Sequence, residues 1–300
     1  MNFDKKNGDI FFAGSGSFGS LVLPYLKNKI NNLEVITQKG GNIPVFLKAK
    51  ELGIPVFEVP DKYELEKLVI EKKPKFIIIA DFGIIFSSRT LKVPKKIINI
   101  HPSLLPKYRG PSPYTAALIN QEKETGISVM DLVPEIDTGP VYIKKTVKIT
   151  GKETKTSLEK KLAKTSGEII KKHLWEILEN KITPKKQNHK DATYTKMHKK
   201  NDGRINWKEN AKEIEAKIRA LNPWPGTFTK ISTNNKKIII KILEAEVVII
   251  KSRKKVLIEK SRLFIKTGDG YLSIKKVQPE SKKPMVIKDF LSGYKKIKLD

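Results

Sequence analysis

Short apolar runs alternate with amphipathic segments along the first half of the chain. The runs predict β-strands at Asp9–Ala13, Glu34–Thr37, Val56–Val59, Phe76–Ala80 and Ile97–His101. Apolar residues at helical spacing between these runs predict helices at Leu21–Lys29, Val45–Leu52 and Tyr63–Lys72. Strands that alternate with helices are typical of an α/β protein, so we expect a doubly wound, mostly parallel, Rossmann-like sheet.

Two further strands, Ile127–Val133 and Val141–Ile149, and a long helix, Ser157–Asn180, extend this pattern. We expect residues 1–182 to form one catalytic domain. Ligands of doubly wound sheets bind beyond the carboxyl ends of the strands. We therefore expect the functional site at the residues that end the strand Ile97–His101.

The segment Thr183–Asp202 interrupts the pattern, because it is polar and basic and lacks apolar periodicity. It predicts a basic linker between two domains. After it we expect a helix at Asn210–Leu221, a closing helix at Pro284–Leu291, and strands at Thr227–Ser232, Lys237–Val247, Val256–Ser261, Leu263–Lys266 and Tyr271–Val277. Short strands with turn signals indicate a small OB-like β-barrel over residues 203–300.

The residue types present exclude several classes of site. The chain has no cysteine, so disulfides, thiol nucleophiles and cysteine-based zinc sites are excluded. Its 4 histidines show no metal-ligand spacing, so we expect no metal. No apolar stretch is long enough to span a membrane, and Met1–Lys6 lacks the apolar core of a signal peptide. We expect a cytoplasmic protein with no membrane partner.

The net charge is +28 and the pI about 9.9, which favours a polyanionic partner such as nucleic acid. Lysine is abundant throughout the chain, however, and charged runs are commonly just solvated faces. Charge alone leaves both interpretations open.

Asn99 and His101 stand two positions apart near the end of a predicted strand, so their side chains point to the same side. Asp137 stands in the turn Asp137-Thr138-Gly139, 38 positions after Asn99. An amide donor, an imidazole and a carboxylate suit acyl transfer to an amine, because they can stabilise an oxyanion and move a proton. As isolated residues, the same three would equally fit turn formation and capping.

The run Ser103-Leu104-Leu105-Pro106-Lys107-Tyr108-Arg109-Gly110 resembles the signature of folate-dependent formyltransferases, which follows an Asn-x-His and precedes an Asp-x-Gly turn. The resemblance implies 10-formyltetrahydrofolate as donor and Asn99, His101 and Asp137 as the catalytic residues. It also implies a folate site formed by Ser103, Leu104, Leu105, Pro106, Phe82, Phe86, Val133 and Pro134. For the two phenylalanines, ordinary core packing is an equal alternative.

Three further stretches, at residues 197–207, 218–226 and 277–285, resemble the junction and C-terminal domain of methionyl-tRNA formyltransferases. This resemblance implies formylation of the methionine on initiator tRNA for translation initiation, and a C-terminal domain that binds tRNA. Candidate tRNA contacts are Arg109, Lys196, Lys199, Lys200 and Arg204. For Arg109 a structural ion pair is an equal alternative. No obligatory protein partner is indicated.

Two loops depart from the tRNA enzymes. Gly14–Gly19 matches the glycine pattern of dinucleotide sites and would also suit a phosphate. Gln38–Pro44 is shorter than the basic loop that those enzymes usually have here. Two other functions stay open.

One is an amino-sugar-nucleotide N-formyltransferase with the same folate donor, which would share the catalytic trio. The other is a non-catalytic RNA-binding protein, which the charge and the OB-like barrel would suit.

Overall fold

A computed structural model of the chain describes residues 10–234 and 236–299. Asp9, the first residue of the first predicted strand, lies outside the described residues. The chain divides into two units. The first contains the residues up to 113, together with 124–148 and 157–195. The second contains residues 114–123 and 149–156 and everything from 196 onward.

The first unit is built on a seven-stranded sheet of order β3-β2-β1-β4-β5-β6-β7. Its strands are β1 (Ile10–Ala13), β2 (Leu33–Gln38), β3 (Val56–Val59), β4 (Phe76–Ile79), β5 (Lys96–His101), β6 (Glu124–Asp131) and β7 (Val141–Lys148). The pairs among β1 to β5 are parallel, whereas β6 and β7 run antiparallel to their neighbours. This confirms the predicted doubly wound sheet, and chain order reverses between β1 and β4.

Among the described residues, the helices of the first unit are α1 (Ser17–Lys27), α2 (Pro44–Glu51), α3 (Lys62–Lys72) and most of α5 (Lys155–Leu178), whereas α4 (Pro113–Ile119) lies almost wholly in the second unit. Asp61 begins α3 by accepting hydrogen bonds from the backbone N–H groups of Tyr63 and Glu64, as a good N-cap does. Sequence periodicity missed α4, because one short helix carries too few turns to show a repeat.

The core explains why β1 and β4 are apolar on both faces. All four residues of each strand are buried, which is typical of central parallel strands with helices on both sides. On one face, Phe11 and Ile77 pack with Leu65 and Val69 of α3. Burying a side chain of this size contributes roughly 1.5–3 kcal/mol, so this packing fixes the sheet that carries β5.

The second unit is an antiparallel, barrel-like sheet of order β10-β11-β12-β9-β8-β14, with β13 paired to β12. Its strands are β8 (Thr227–Thr233), β9 (Lys236–Val248), β10 (Val256–Glu259), β11 (Arg262–Lys266), β12 (Tyr271–Pro279), β13 (Met285–Val286) and β14 (Lys298–Leu299), and its helices after α4 are α6 (Ala211–Leu221) and α7 (Ile287–Gly293). The predicted small barrel is confirmed, with the two-residue strands β13 and β14 in addition. Ile214 and Ile218 of α6 pack against Ile240 and Ile242 of β9 in its core.

The predicted linker is divided between the two units. Residues 183–195, which we call the strap, belong to the first unit, and residues 196–202 belong to the second. Lys185 exchanges two backbone hydrogen bonds of 2.8 Å with Val141, and Tyr194 forms a parallel bridge with Arg109. The strap is polar in sequence because its backbone, rather than an apolar face, attaches it to the sheet.

Candidate active site

The structure brings Asn99, His101 and Asp137 together at the carboxyl end of β5. Asn99 Nδ2 donates to Asp137 Oδ1 at 3.3 Å, and His101 Nδ1 lies 3.6 Å from Asp137 Oδ2. The neighbouring strand β6 fixes β5 in register, with Asn99 opposite Met130 and His101 opposite Ser128. A carboxylate remote in sequence is thus placed against both strand side chains.

His101 is 4% exposed, and its two ring nitrogens face different groups. Nε2 lies 2.9 Å from the carbonyl oxygen of Tyr108. A carbonyl only accepts hydrogen bonds, so Nε2 carries a hydrogen. Nδ1 is left to face Asp137, and it can pair with a carboxylate only when it also carries a proton. At 3.6 Å, Nδ1 and Asp137 Oδ2 are within ion-pair distance but not yet within hydrogen-bond distance.

The carboxylate of Asp137 is held from three sides. In addition to Asn99 and His101, the backbone N–H of Gly110 donates to Oδ2 at 2.7 Å. Asp137 has a φ of +52°, a left-handed conformation that non-glycine residues adopt rarely. Two residues on, a Cβ at Gly139 would lie 1.9 Å from the carbonyl oxygen of Asp131. That contact explains the glycine of the Asp-x-Gly turn.

The run Ser103–Pro106 is fixed to β6 through Ser128. The Ser128 hydroxyl donates to Ser103 O at 2.7 Å and accepts from the N–H of Leu105 at 3.1 Å. Leu105 is 1% exposed and packs with Met130 and Val141, and Leu104 lies against Gly126, where a Cβ would meet Leu104 Cδ2 at 2.5 Å. The segment is a rigid wall beside His101.

The other candidate folate residues differ in exposure. Phe86 is buried in the core cluster of the sheet, and Phe82 packs against that cluster while partly exposed. Their ring centroids lie 6.0 Å apart at 64°, an edge-to-face pair. Val133 is partly buried and Pro134 is exposed. Core packing therefore accounts for Phe86, whereas Phe82 and Pro134 keep part of their apolar surface exposed.

Arg109 is a correction to the sequence analysis, because it cannot contact tRNA from its place in the structure. It is 1% exposed. Its guanidinium donates to Gln187 Oε1 at 3.2 and 2.8 Å and to the Tyr194 hydroxyl at 3.1 Å, and lies 3.3 Å from His189 Nδ1. The alternative of a structural ion pair is not observed either: over residues 10–234 and 236–299, its side chain contacts neutral or imidazole groups of the strap and no carboxylate.

The Gly14–Gly19 loop is unsuited to a phosphate. Its N–H groups at Ser15 and Gly16 donate to the carbonyl oxygen of Asp81 at 2.9 and 3.1 Å. A Cβ at Gly16 would lie 1.8 Å from a carboxylate oxygen of Asp81, and the Ser17 hydroxyl donates to Glu159. An anion bound here would lie near the carboxylates of Asp81 and Glu159 and be repelled by them. The close approach of Asp81 leaves no space for a Cβ at position 16, and this explains Gly16 without a bound nucleotide.

The second unit carries the other candidate tRNA contacts. Lys196, Lys199, Lys200 and Arg204 are all exposed. Arg204 also lines a cleft of about 760 Å³ in this unit, together with Trp207, Lys208, Arg253, Lys255 and Lys266. The sequence gives no signal for the last four cations, because they come from separate stretches of the chain that meet only in the folded unit.

Two other kinds of site are absent from the described part of the chain. Over residues 10–234 and 236–299, no helix combines the length and apolarity needed to cross a membrane. In the same residues, no group of three or more His, Asp and Glu side chains is arranged to hold a metal ion.

Comparison with known protein families finds two matches. The formyl transferase family matches residues 10–174, and the formyl transferase C-terminal domain family matches residues 197–295. These two ranges contain every residue of the trio and most of the barrel-like sheet.

Among characterised relatives, a methionyl-tRNA formyltransferase of Thermodesulfovibrio yellowstonii is 35% identical over 311 residues, covering 97% of this chain and 97% of the relative. A methionyl-tRNA formyltransferase from Sulfurihydrogenibium sp. is 36% identical over 273 residues, which cover 86% of this chain and 85% of the relative. One from Caldanaerobacter subterraneus is 34% identical over 305 residues, which cover 95% of this chain and 96% of the relative.

Solved structures show the same fold at lower identity. HypX from Aquifex aeolicus in complex with tetrahydrofolic acid superposes with a TM-score of 0.70 at 16% identity, covering 98% of this chain and 49% of that one. An N-formyltransferase from Helicobacter canadensis, in complex with folinic acid and dTDP-3-aminofucose, superposes with a TM-score of 0.64 at 23% identity. The superposition covers 89% of this chain and 98% of that one.

Proposed function

The chain belongs to the formyl transferase family, and we propose that it transfers the formyl group of 10-formyltetrahydrofolate to the α-amino group of methionine on initiator tRNA. The observation that carries this proposal is the similarity to a methionyl-tRNA formyltransferase over 97% of both chains. Similarity restricted to the first unit would indicate formyl transfer alone. The match extends through the second unit, where a macromolecular substrate would be held.

Asn99 is the oxyanion donor in this proposal. Its amide has two N–H groups, and one of them is directed to Asp137 Oδ1. The contact fixes the plane of the amide, so the second N–H has a defined direction. Negative charge develops on the formyl oxygen when the amine attacks, and a fixed donor of this kind is worth about 10²–10³ in rate.

The His101–Asp137 pair moves the proton. The attacking amine must lose a proton and the departing folate nitrogen must gain one, so a group that accepts and returns a proton is needed. His101 Nε2 is held by the Tyr108 carbonyl, so the transfer runs through Nδ1 and the Asp137 carboxylate. The low exposure of His101, 4%, keeps water from competing for that proton.

The residues beside the trio suit a folate donor, which supplies the formyl carbonyl. A flat pterin ring needs apolar contact on its faces and backbone hydrogen bonds at its edge. The wall Ser103–Pro106 offers backbone groups held in place by Ser128, and Phe82 and Pro134 offer apolar surface. We assign Ser103, Leu104, Leu105, Pro106 and Val133 to the wall, with Phe86 supporting Phe82 from the core.

The second unit is the tRNA-binding part of the proposal. Four exposed cations, Lys196, Lys199, Lys200 and Arg204, precede the barrel-like sheet, and the cleft at Arg204 adds Lys208, Arg253, Lys255 and Lys266. Phosphate contacts supply most of the sequence-independent affinity for nucleic acid. A net charge of +28 strengthens the attraction at long range.

The test is a side-by-side transfer assay with 10-formyltetrahydrofolate. The acceptors are methionyl initiator tRNA, an amino sugar nucleotide, and uncharged initiator tRNA as the control that lacks the amine. We expect formylmethionyl-tRNA as the product and no transfer to the other two. Preferential transfer to the amino sugar nucleotide would replace this proposal with the small-molecule one, and tRNA binding without transfer would indicate a non-catalytic role.

A further inference from the structure

The backbone at Asp137 needs external support to keep its conformation. A φ of +52° places an aspartate in the left-handed region, which is energetically unfavourable for a residue with a Cβ and persists only where surrounding contacts hold it. Within its own turn, Thr138 donates to Glu135 O from its N–H at 3.4 Å and from its hydroxyl at 3.1 Å. Neither bond holds the carbonyl groups of Asp137 and Gly139, which have partners outside the turn.

Gln187 of the strap supplies that support. Its Nε2 donates to Asp137 O at 2.8 Å and to Gly139 O at 2.7 Å. The first and last carbonyls of the Asp-x-Gly turn therefore accept hydrogen bonds from one side-chain amide. Gln187 is 7% exposed, so water does not weaken these bonds.

Arg109 determines which way the Gln187 amide faces. Arginine can only donate and the two turn carbonyls can only accept, so Oε1 must face Arg109 and Nε2 must face the turn. Arg109 Nε and Nη2 both donate to Oε1, which uses the full hydrogen-bonding capacity of the amide. The next residue, Gly110, donates its N–H to Asp137 Oδ2. The segment Arg109–Gly110 thus orients the Asp137 carboxylate directly, through Gly110, and the Asp137 backbone indirectly, through Arg109 and Gln187.

We propose that Gln187 is a positioning residue for the transfer reaction, which holds the Asp137 carboxylate against His101 and is itself locked by Arg109. The inference rests on the proposed function, because it concerns the group that moves the proton there. It gives the strap a role in the chemistry as well as in joining parts of the chain. A shift of the carboxylate by about 1 Å would cost of order 10²-fold in rate.

Gln187→Glu is the informative variant. The new carboxylate still accepts from Arg109 but cannot donate to the carbonyls of Asp137 and Gly139, so it places an acceptor oxygen against two others and repels the turn instead of supporting it. We expect kcat for methionyl initiator tRNA to fall about 10- to 100-fold, with KM for tRNA and donor changed less than about threefold. Gln187→Met, which removes both sets of bonds, should also lower kcat.

The controls separate positioning from general damage. Asn188→Ala removes a neighbouring strap side chain that caps the short helix His189–Asp191, and it should keep wild-type kcat. A double-mutant cycle adds Asp137→Asn. If Gln187 acts through Asp137, its substitution should have little further effect on kcat in that background. Equal fold losses with and without the Asp137 carboxylate would overturn the proposal, as would an unchanged kcat in Gln187→Glu.

Hydrogen exchange tests, without substrate, whether Gln187 holds the Asp-x-Gly turn through the carbonyls of Asp137 and Gly139, a contact that we call the clamp. The amide of Thr138, which donates to Glu135 O within the turn, should exchange more slowly in the wild-type protein than in Gln187→Glu, because the turn opens more often when Gln187 no longer holds its carbonyls. Wild-type exchange at Thr138 as fast as in the exposed segment 249–254 would overturn the clamp even if neither variant folds. Slow exchange in an enzyme that fails to formylate methionyl-tRNA would instead contradict the proposed function and leave the clamp standing.

Discussion

At the scale of single residues, Asp137 carries the only carboxylate in the candidate trio. Asp137→Asn keeps the size of the side chain and removes its charge. We expect the rate of formyl transfer to fall by about two orders of magnitude, because His101 Nδ1 loses the partner that holds its proton. Substrate binding and thermal stability should change little. A single-turnover assay with separately measured tRNA binding checks this; a rate within a few-fold of wild type would make Asp137 a turn residue.

His198 links a single residue to the pH dependence of stability. Burial lowers the pKa of His198, and the nearby carboxylate of Asp202 opposes this only in part. The unfolded chain binds this proton near pH 6.5 whereas the folded protein binds it only at lower pH, so stability falls as pH drops through that window. His198→Gln should lose less unfolding free energy than wild type between pH 8 and pH 5.5.

Denaturant titration at both values of pH measures the difference. If His198→Gln and the wild-type protein lose the same unfolding free energy between the two values, burial of His198 does not contribute to acid sensitivity.

At the scale of elements, Lys96 joins β5 to β7 and α5. Its Nζ donates to Ile177 O in the last turn of α5 at 2.7 Å and lies 4.7 Å from the ring centroid of Tyr142. Lys96→Met keeps the aliphatic stem and removes both charge interactions. Losing these two interactions should lower the unfolding free energy by about 1–2 kcal/mol. Burial of the ammonium group lowers the pKa of Lys96 and costs free energy in the folded protein, so its removal offsets part of this loss. The exposed neighbour Lys95→Met is the matched control, and equal losses would contradict the assignment.

The loop between β2 and α2 sets a second expectation at this scale. β2 ends at Gln38 and α2 begins at Pro44, and the N–H of Lys39 is bound to Val59 O at 2.9 Å. So short a loop, tied at its start, cannot extend into an acceptor stem. Discrimination between initiator tRNAs with an unpaired and a paired first position should therefore be weaker than in relatives with a long basic loop. Their formylation efficiencies give the ratio, and a ratio as large as in long-loop relatives would contradict this.

At the scale of the whole molecule, the question is whether the charge of +28 is organised for tRNA. Neutralising Lys196, Lys199, Lys200 and Arg204 to glutamine should weaken tRNA binding. It should also reduce the slope of log K against log salt by about 0.7–0.9 for each phosphate that the protein no longer neutralises. The control replaces four exposed lysines of α5: Lys160, Lys164, Lys171 and Lys172. An equal change of slope in both variants would mean that the charge is diffuse.

The sequence by itself determined the α/β class of the first half and the antiparallel strands of the second, except for α4, β13 and β14, and it singled out the three candidate catalytic residues. Apolar periodicity is a local property, so it identified strands such as Ile97–His101 directly. The spacing of Asn99 and His101 on a strand already put both side chains on one side.

Only the tertiary structure decided which long-range partners these residues meet. Arg109 is polar in sequence but lies buried among strap residues, and Gln187 gave no signal because it contacts Asp137 across 50 positions. The strap looked like a linker because it attaches through backbone bonds and carries no apolar pattern. Burial and hydrogen-bond partners depend on how distant segments pack, and that information is absent from any short window of sequence.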